Sequence, residues 1–269
     1  MATYLDRILD VHRAAAAADL RTVDALVDAA LGLAAARGFS DALMAVPAGE
    51  PAVIAEVKRR SPLRGDLAAD LDPADTAAAY VAGGAACLSV LTDVEHFGGS
   101  PDDLAATRAA VGVPVLRKDF TVDARDVCDA RLMGADAVLL IAAALDDAEL
   151  TDFHALAAEV GLDALVEIHD EAELERALAV GARLIGVNQR DLATFEVDTA
   201  RAVRMAPLMP DGVVRVAESG IRGPADAQIL VDAGYHALLV GESVVTSGDR
   251  TSAVRALRGR QRGPEMRDD

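Results

Sequence analysis

Val53-Ile54-Ala55-Glu56-Val57-Lys58-Arg59-Arg60-Ser61-Pro62-Leu63-Arg64-Gly65 begins as an apolar strand and ends as a charged loop. Side chains alternate faces along a strand, so Ile54, Glu56 and Lys58 share one face. An acid and a base two residues apart at a strand's end therefore point the same way. The loop mixes Arg59, Arg60 and Arg64 with Ser61, Pro62 and Gly65, a cationic and partly pre-shaped lip over whatever Glu56 and Lys58 face. Taken alone, the stretch reads as a strand leading into a solvated basic loop. Its weight comes from recurrence, because charges at strand ends return down the chain.

Towards the C-terminus, short apolar runs alternate with amphipathic segments. The expected strands are 53–58, 87–92, 113–118, 137–142, 164–168, 184–188, 213–218 and 237–240. Helices are expected between them, at about 72–84, 101–110, 123–133, 146–160, 171–180, 198–206, 223–233 and 250–259. Near-continuous apolar strands are what a parallel sheet covered on both faces requires. Eight βα units in succession predict an α/β fold, a closed (β/α)8 TIM barrel, whose usual size is about 250 residues. A doubly wound open sheet is the competitor, but it normally carries a Gly-rich dinucleotide loop after its first strand, and no GxGxxG occurs. Towards the N-terminus, Leu5, Ile8, Leu9 and His12, then Leu20, Val23, Leu26, Val27, Ala30 and Leu31, fall at helical spacing. Gly38 marks a stop, and residues 46–51 are a turn-rich connector. The expected organisation is one domain over 1–269: a helical extension at 1–50, the barrel at 51–260 and a disordered tail at 261–269.

The 269 residues, 52% of them hydrophobic, are ample for a sizeable core. A formal net charge of −18 disfavours nucleic acid and anionic membranes as partners, and means that an anionic substrate needs a local cationic site. Cys87 and Cys128 form no CxxC pair and sit in apolar surroundings, so they read as buried thiols in a reducing compartment. Residues 1–13 contain acids and no long apolar run, unlike a signal peptide, and no run reaches the length of a membrane span. The expected location is the cytoplasm.

Active sites of such barrels sit at the carboxyl ends of the strands. Those ends offer Glu56 and Lys58, then Ser89 and Leu91 with a following Phe97-Gly98-Gly99-Ser100, then Arg117-Lys118-Asp119-Phe120. The fourth strand offers only apolar residues. Glu167-Ile168-His169, Asn188-Gln189-Arg190-Asp191, Glu218-Ser219-Gly220 and Gly241-Glu242-Ser243 follow. Ionised groups are rarely buried without partners, so two lysines and three glutamates on one rim mean either a structural ion-pair network or catalysis. A lysine near another lysine and apolar walls is expected to lose its proton more easily, and a glutamate against apolar walls to hold one longer. The glycines after the last two strands form a common phosphate site in this architecture, to which Ser61 can donate. The five histidines show no HxH or HxxxH spacing, which points to no metal site. His169 is out of phase with Glu167 and is expected to face the helical layer or solvent. The pairs Asp102-Asp103 and Asp146-Asp147 are expected to cap helices, and Asp119 and Asp191 to be structural ion-pair or capping groups. Phe97 is either a wall for a flat ring or simple packing.

These residues resemble the indole-3-glycerol phosphate synthase family. The matching stretches are 54–62, 88–92, 97–100, 116–120, 165–170, 186–192, 217–221 and 240–243, in the family's order and spacing over nearly the whole barrel. The N-terminal helices resemble the family's extension. The resemblance implies ring closure, decarboxylation and dehydration of 1-(2-carboxyphenylamino)-1-deoxyribulose 5-phosphate to indole-3-glycerol phosphate, in tryptophan biosynthesis. It implies Lys118 as general acid, Lys58 as holder of the substrate carboxylate, Glu167 as base with Glu56 a contested second, and Asn188 and Glu218 as orienting groups. Arg190 would lie near the substrate, and Phe97 and Leu192 would form apolar wall. Ser61, Ser219, Gly220, Gly241 and Ser243 would hold the phosphate, with Glu242 lending its backbone amide. No metal or organic cofactor is implied. The partner is a small phosphorylated molecule, and the assembly a monomer or homodimer.

The chain departs from the family where Leu63-Arg64 replaces a frequent Ser-Lys, which removes a hydroxyl and changes the shape of a cation. Gly98 sits where a polar residue can occur. A phosphoribosylanthranilate isomerase would use another acid–base pair, commonly Cys and Asp, and strand 1 here carries Glu and Lys. A non-catalytic binding barrel would be expected to lose Lys118 or Glu167, and both are present.

Overall fold

Residues 52–57 are buried along their whole length, as a strand with helices on one side and a packed interior on the other must be. In this computed structural model, which describes residues 3–47, 49–191 and 195–259, they form β1 (Ala52–Val57) of a closed parallel barrel. Its other strands are β2 (Cys87–Leu91), β3 (Val115–Lys118), β4 (Ala137–Ile141), β5 (Asp163–Ile168), β6 (Leu184–Asn188), β7 (Val214–Glu218) and β8 (Ala237–Val240). Each pairs with its neighbours in sequence, and β8 closes on β1 through Ala52 opposite Ala237. The expected (β/α)8 barrel is the fold observed.

Period-two alternation sorts the side chains into two apolar layers. Ile54, Leu116, Leu139, Leu165, Val216 and Leu239 fill the barrel. Val53, Leu88, Val138, Val166, Val187 and Leu238 face the helices. Those helices are α4 (Pro73–Ala82), α5 (Pro101–Ala110), α6 (Ala124–Leu132), α7 (Asp147–Glu159), α8 (Glu171–Ala179), α9 (Arg201–Met205), α10 (Pro224–Asp232), the short α11 (Glu242–Val245) and α12 (Arg250–Leu257), preceded by α1 (Tyr4–Ala18), α2 (Val23–Leu31) and α3 (Phe39–Met44). No helix among the described residues is long and apolar enough to cross a membrane.

Boundaries differ from expectation where the backbone chemistry dictates. The third strand starts at Val115 because Pro114 has no N–H to give the ladder. The fourth stops at Ile141, and Ala142–Ala144 turn as a 3-10 helix. Asp146 caps α7 as expected, accepting from Glu149 N at 2.8 Å. Asp103 does not cap: Ser100 caps α5, and the Asp103 carboxylate is taken by Arg59.

The N-terminal helices reach both ends of the barrel. On the floor, Phe39 and Leu43 of α3 join the interior layer beneath Ala52, Ile54 and Ala237. Ser40 N donates to Asp163 and Arg37 N to Asp136, both at strand starts. At the mouth, His12 of α1 bonds Asp93, just past β2, at 3.1 Å. Arg13 pairs with Glu149 at 2.7 Å, and Arg125 donates to Ala16 O at 2.9 Å.

Candidate active site

At the carboxyl ends of the strands lies a cavity of about 540 Å3. It is lined by Glu56, Lys58, Lys118, Glu167, Asn188 and Glu218, and by Ser61, Phe97, Arg190, Ser219, Gly220, Gly241, Glu242 and Ser243. Every candidate among the described residues thus meets in one place. Leu192 lies outside them.

Strand register explains the convergence. Glu56 on β1, Lys118 on β3, Glu167 on β5, Asn188 on β6 and Glu218 on β7 each occupy an inward-facing strand end, above the interior apolar layer. Lys118 Nζ lies 3.1 Å from Glu167 Oε2 and 3.8 Å from Glu218 Oε2. Asn188 Nδ2 donates to Glu167 Oε1 at 3.0 Å, while its Oδ1 accepts from Arg190 N at 3.0 Å, which fixes the amide's orientation. Lys58, one residue past β1, pairs with Glu56. The fourth strand end is apolar, with Leu139 and Ile141 on the cavity wall.

Two expected proton affinities are reversed. Burial alone would push the Lys118 ammonium down, but Glu167, Glu218 and Glu56 surround it and hold it above the ordinary lysine value. Burial would likewise raise Glu167, yet Lys118, His169 and the Asn188 amide bring its carboxyl below the ordinary range. Glu218 behaves as expected: burial, then the neighbouring Glu167 anion, raise it well above the ordinary glutamate value. The triad thus sets a lysine cation and a Glu167 anion beside a Glu218 whose surroundings favour its protonated form.

The glycines make this crowding possible. A Cβ at Gly241 would collide with Glu56, and one at Gly186 with Glu218. Gly241 therefore has a steric reason beyond any anion, and Gly186, on β6 beside β7, is a site residue that reads in sequence only as a small core position. Ser219 and Gly220 adopt the left-handed region with φ of 65° and 72°. Ser243 Oγ donates to Ile221 O at 2.9 Å.

The cationic lip is mostly committed elsewhere. Arg59, out of phase with Lys58, turns to Asp103 and donates to Leu71 O at 3.0 Å. Arg60 donates to Val94 O at 3.1 Å and to Glu95 O. Only Arg64 of the three lines the cavity, bridged to Glu242 at 2.6 Å. Residues 60–61 and 65–66 form a tiny hairpin that presents Ser61 and Leu63 to the mouth. The aromatic wall is wider than Phe97: Phe120 lies 6.3 Å from it, ring to ring, and Phe195 also lines the cavity. Phe120 stands two residues beyond Lys118, and that spacing was a usable signal for it. His169 does not face away. Its Nε2 sits 3.7 Å from Glu167 Oε1, because the chain turns at Ile168 and strand alternation no longer applies. Asp119 is structural as expected, taken by Arg117 at 3.0 Å and by Thr92.

Residues 4–257 match the family model described as indole-3-glycerol phosphate synthase. A protein of that name from Nocardioides sp. is 52% identical over 242 residues, which cover 90% of this chain and 93% of that protein. Another of that name, from Mycobacteroides abscessus, is 51% identical over 258 residues, covering 95% of this chain and 93% of its own. A solved structure of thiamine phosphate pyrophosphorylase from Pyrococcus furiosus superposes with a TM-score of 0.58 at 15% identity, over 78% of this chain and 95% of that one. That likeness speaks to the barrel alone.

Proposed function

The chain belongs to the indole-3-glycerol phosphate synthase family, and we propose that its barrel mouth divides that family's chemistry with Lys118 as general acid and Glu167 as base. The activity is that of a carboxy-lyase of tryptophan biosynthesis. It converts 1-(2-carboxyphenylamino)-1-deoxyribulose 5-phosphate to indole-3-glycerol phosphate, carbon dioxide and water.

The order of strands around the mouth gives the substrate its direction. The backbone turns of Ser219-Gly220 and Gly241-Glu242-Ser243, with Ser61 above them, take the phosphate. Phe97 and Phe120, beyond β1 and towards β2 and β3, take the aromatic ring. Between them the substrate carboxylate meets Lys58, whose partner Glu56 keeps the ammonium at the wall. The ribulose carbonyl then lies over Lys118. Attack of the ring carbon on that carbonyl carbon puts negative charge on oxygen, and the Lys118 Nζ proton neutralises it. Loss of the carboxylate as carbon dioxide returns the electron pair to the ring. Removal of the hydroxyl as water needs a proton on that oxygen, which Lys58 can supply, and a base for the remaining proton, which Glu167 supplies, Glu56 being the second candidate. Asn188 holds Glu167 in register, Glu218 holds the lysine from its far side, and Arg190 lies beside them. A reducing, cytoplasmic setting belongs to this reading, since Cys87 and Cys128 are free and buried. So does a monomer or homodimer.

The observation that carries the assignment is Lys118, the one cation within 4 Å of both Glu167 and Glu218 among the described residues, at the apolar end of the cavity. Indole fluorescence on adding the substrate to metal-free protein tests it. A rise at catalytic enzyme concentration is expected. In Lys118→Ala, kcat should fall by about 10²–10⁴-fold, while a phosphate ligand still binds. Turnover within a few-fold of wild type would remove Lys118 from the mechanism.

A further inference from the structure

We propose that His169 is a positioning residue for Glu167: Glu173 grips one ring nitrogen so that the other, Nε2, presents an N–H to Glu167 and keeps it the anion of the triad. The inference rests on the reading of Glu167 as the base, and adds a residue that acts through it.

The geometry is that of a ring held from behind. Glu173, in the first turn of α8, accepts from the His169 backbone N at 2.7 Å and from Nδ1 at 3.0 Å with the same Oε2. Its own backbone N donates to the cap Asp170 at 2.9 Å. The carboxylate is thus fixed by the helix start, and it fixes the ring. Nδ1 carries a proton in that arrangement, because a carboxylate can only accept. Nε2 is buried without a hydrogen-bond partner and stands 3.7 Å from Glu167 Oε1. That gap is too long for a hydrogen bond, but among the described residues Nε2 has no hydrogen-bond partner, and Glu167 is the carboxylate it faces. Burial costs the imidazolium most, yet the Glu173 bond and the Glu167 and Glu173 charges outweigh burial and the opposing Arg201 of α9, so His169 holds its proton above the ordinary histidine value.

The reaction gives the arrangement a purpose. At rest Glu167 has Lys118 as counter-ion and Asn188 as donor. When Lys118 turns its proton to the substrate carbonyl, Glu167 loses that cation and is left beside the Glu218 carboxyl. A carboxylate left in that position would itself protonate and cease to be a base. The His169 imidazolium is the charge that stays, and a shift of about 0.7 Å brings Nε2–H within bonding distance.

Two readouts test the proposal. In imidazole 15N spectra of the full-length protein, both ring nitrogens of His169 should be protonated at pH 7. In Glu167→Gln the titration of His169 should move down. In steady-state kinetics, His169→Gln should move the acid limb of the kcat profile up by about one unit, with kcat down about tenfold on that limb, the plateau kept and KM within about threefold. Glu173→Gln, which leaves the ring in place, should move it the same way by less. A His169→Gln profile that is lower but unshifted would make His169 merely structural and overturn the proposal. So would an Nε2 without a proton at pH 7, or a His169 titration unchanged in Glu167→Gln. Full turnover in Glu167→Gln would instead overturn the base assignment, and with it the step from charge-holding to catalysis, whatever the spectra show.

Discussion

Gly186 belongs to the site although it has no side chain. It leaves room for Glu218 to lean across from β7, and a methyl group there would drive the carboxyl off Lys118 and Glu167. Gly186→Ala should therefore lower kcat by about 10²-fold, the order expected when a supporting group moves by about 1 Å, while KM and the circular dichroism spectrum change little. Retained kcat in a folded Gly186→Ala would show that Glu218 has another way to reach its place. Glu218 also carries a pH signature. Its folded pKa stands above its unfolded one, so the stability that comes from its bound proton is fully present below the ordinary glutamate value and is lost as pH rises through the folded value. Glu218→Gln keeps the neutral form at all pH values, so its melting temperature should gain on wild type as pH rises from the ordinary glutamate value through the folded one. A constant difference across that range would contradict a protonated Glu218. Glu56, Lys58 and Lys118 were legible in sequence because a two-residue period fixes which face each occupies. The direction of the Lys118 and Glu167 shifts was not, because it depends on which charges meet across strands far apart in the chain.

Elements were legible to within a residue or two where periodicity and caps agree, as for α7, where Asp146 and Glu149 close a capping box. They were least legible where a strand hands over to a loop. His169 lies just past the last residue of β5, where strand alternation no longer says which way a side chain points, and it turns towards Glu167. Arg59, expected in the cationic lip, keeps the alternation and turns away to Asp103. The docking of α1 could not be read at all, since its partners come from separate loops. His12 pairs with Asp93, stands 3.9 Å from Asp119, and packs 5.4 Å from the Phe120 ring that lines the cavity. Burial works against the imidazolium, but the Asp93 hydrogen bond and the charges of Asp119, Asp93 and Asp126 raise its pKa above the ordinary value of 6.5. That stabilisation is complete below pH 6.5 and is lost as pH rises through the folded value. His12→Ala should therefore cost about 1.5–3 kcal/mol near pH 6, as a hydrogen bond to a charged group does, and less near pH 9. Denaturant midpoints at the two pH values check this, and an equal loss at both would leave only packing at His12. With Phe120 less well backed, KM should rise while kcat holds.

For the whole molecule, the barrel and the one-rim convergence were visible in eight alternating runs, and the extension was visible only as helices. Its office was hidden: α3 supplies Phe39 and Leu43 as the barrel floor, while α1 backs the mouth. Deleting residues 1–19 should leave a folded barrel with a raised KM. Deleting 1–47 should expose Ala52, Ile54 and Ala237 and give aggregates. Equal solubility of the two truncations by size-exclusion chromatography would show that the floor seals itself. Dialysis against EDTA should leave turnover unchanged, since the chemistry proposed uses lysine protons; a loss restored by added metal would overturn that. The same double-ended wrapping has a consequence for biogenesis. The helices made before the barrel can dock only after much of it has followed: α3 needs Asp136 and Asp163, and α1 needs Asp93, Arg125 and Glu149. A nascent chain must carry Phe39 and Leu43 unburied until more than half of it has been made, which is when folding chains with such long-range contacts are most exposed to aggregation. The stretch that completes the enzyme is thus also its longest-standing invitation to a chaperone.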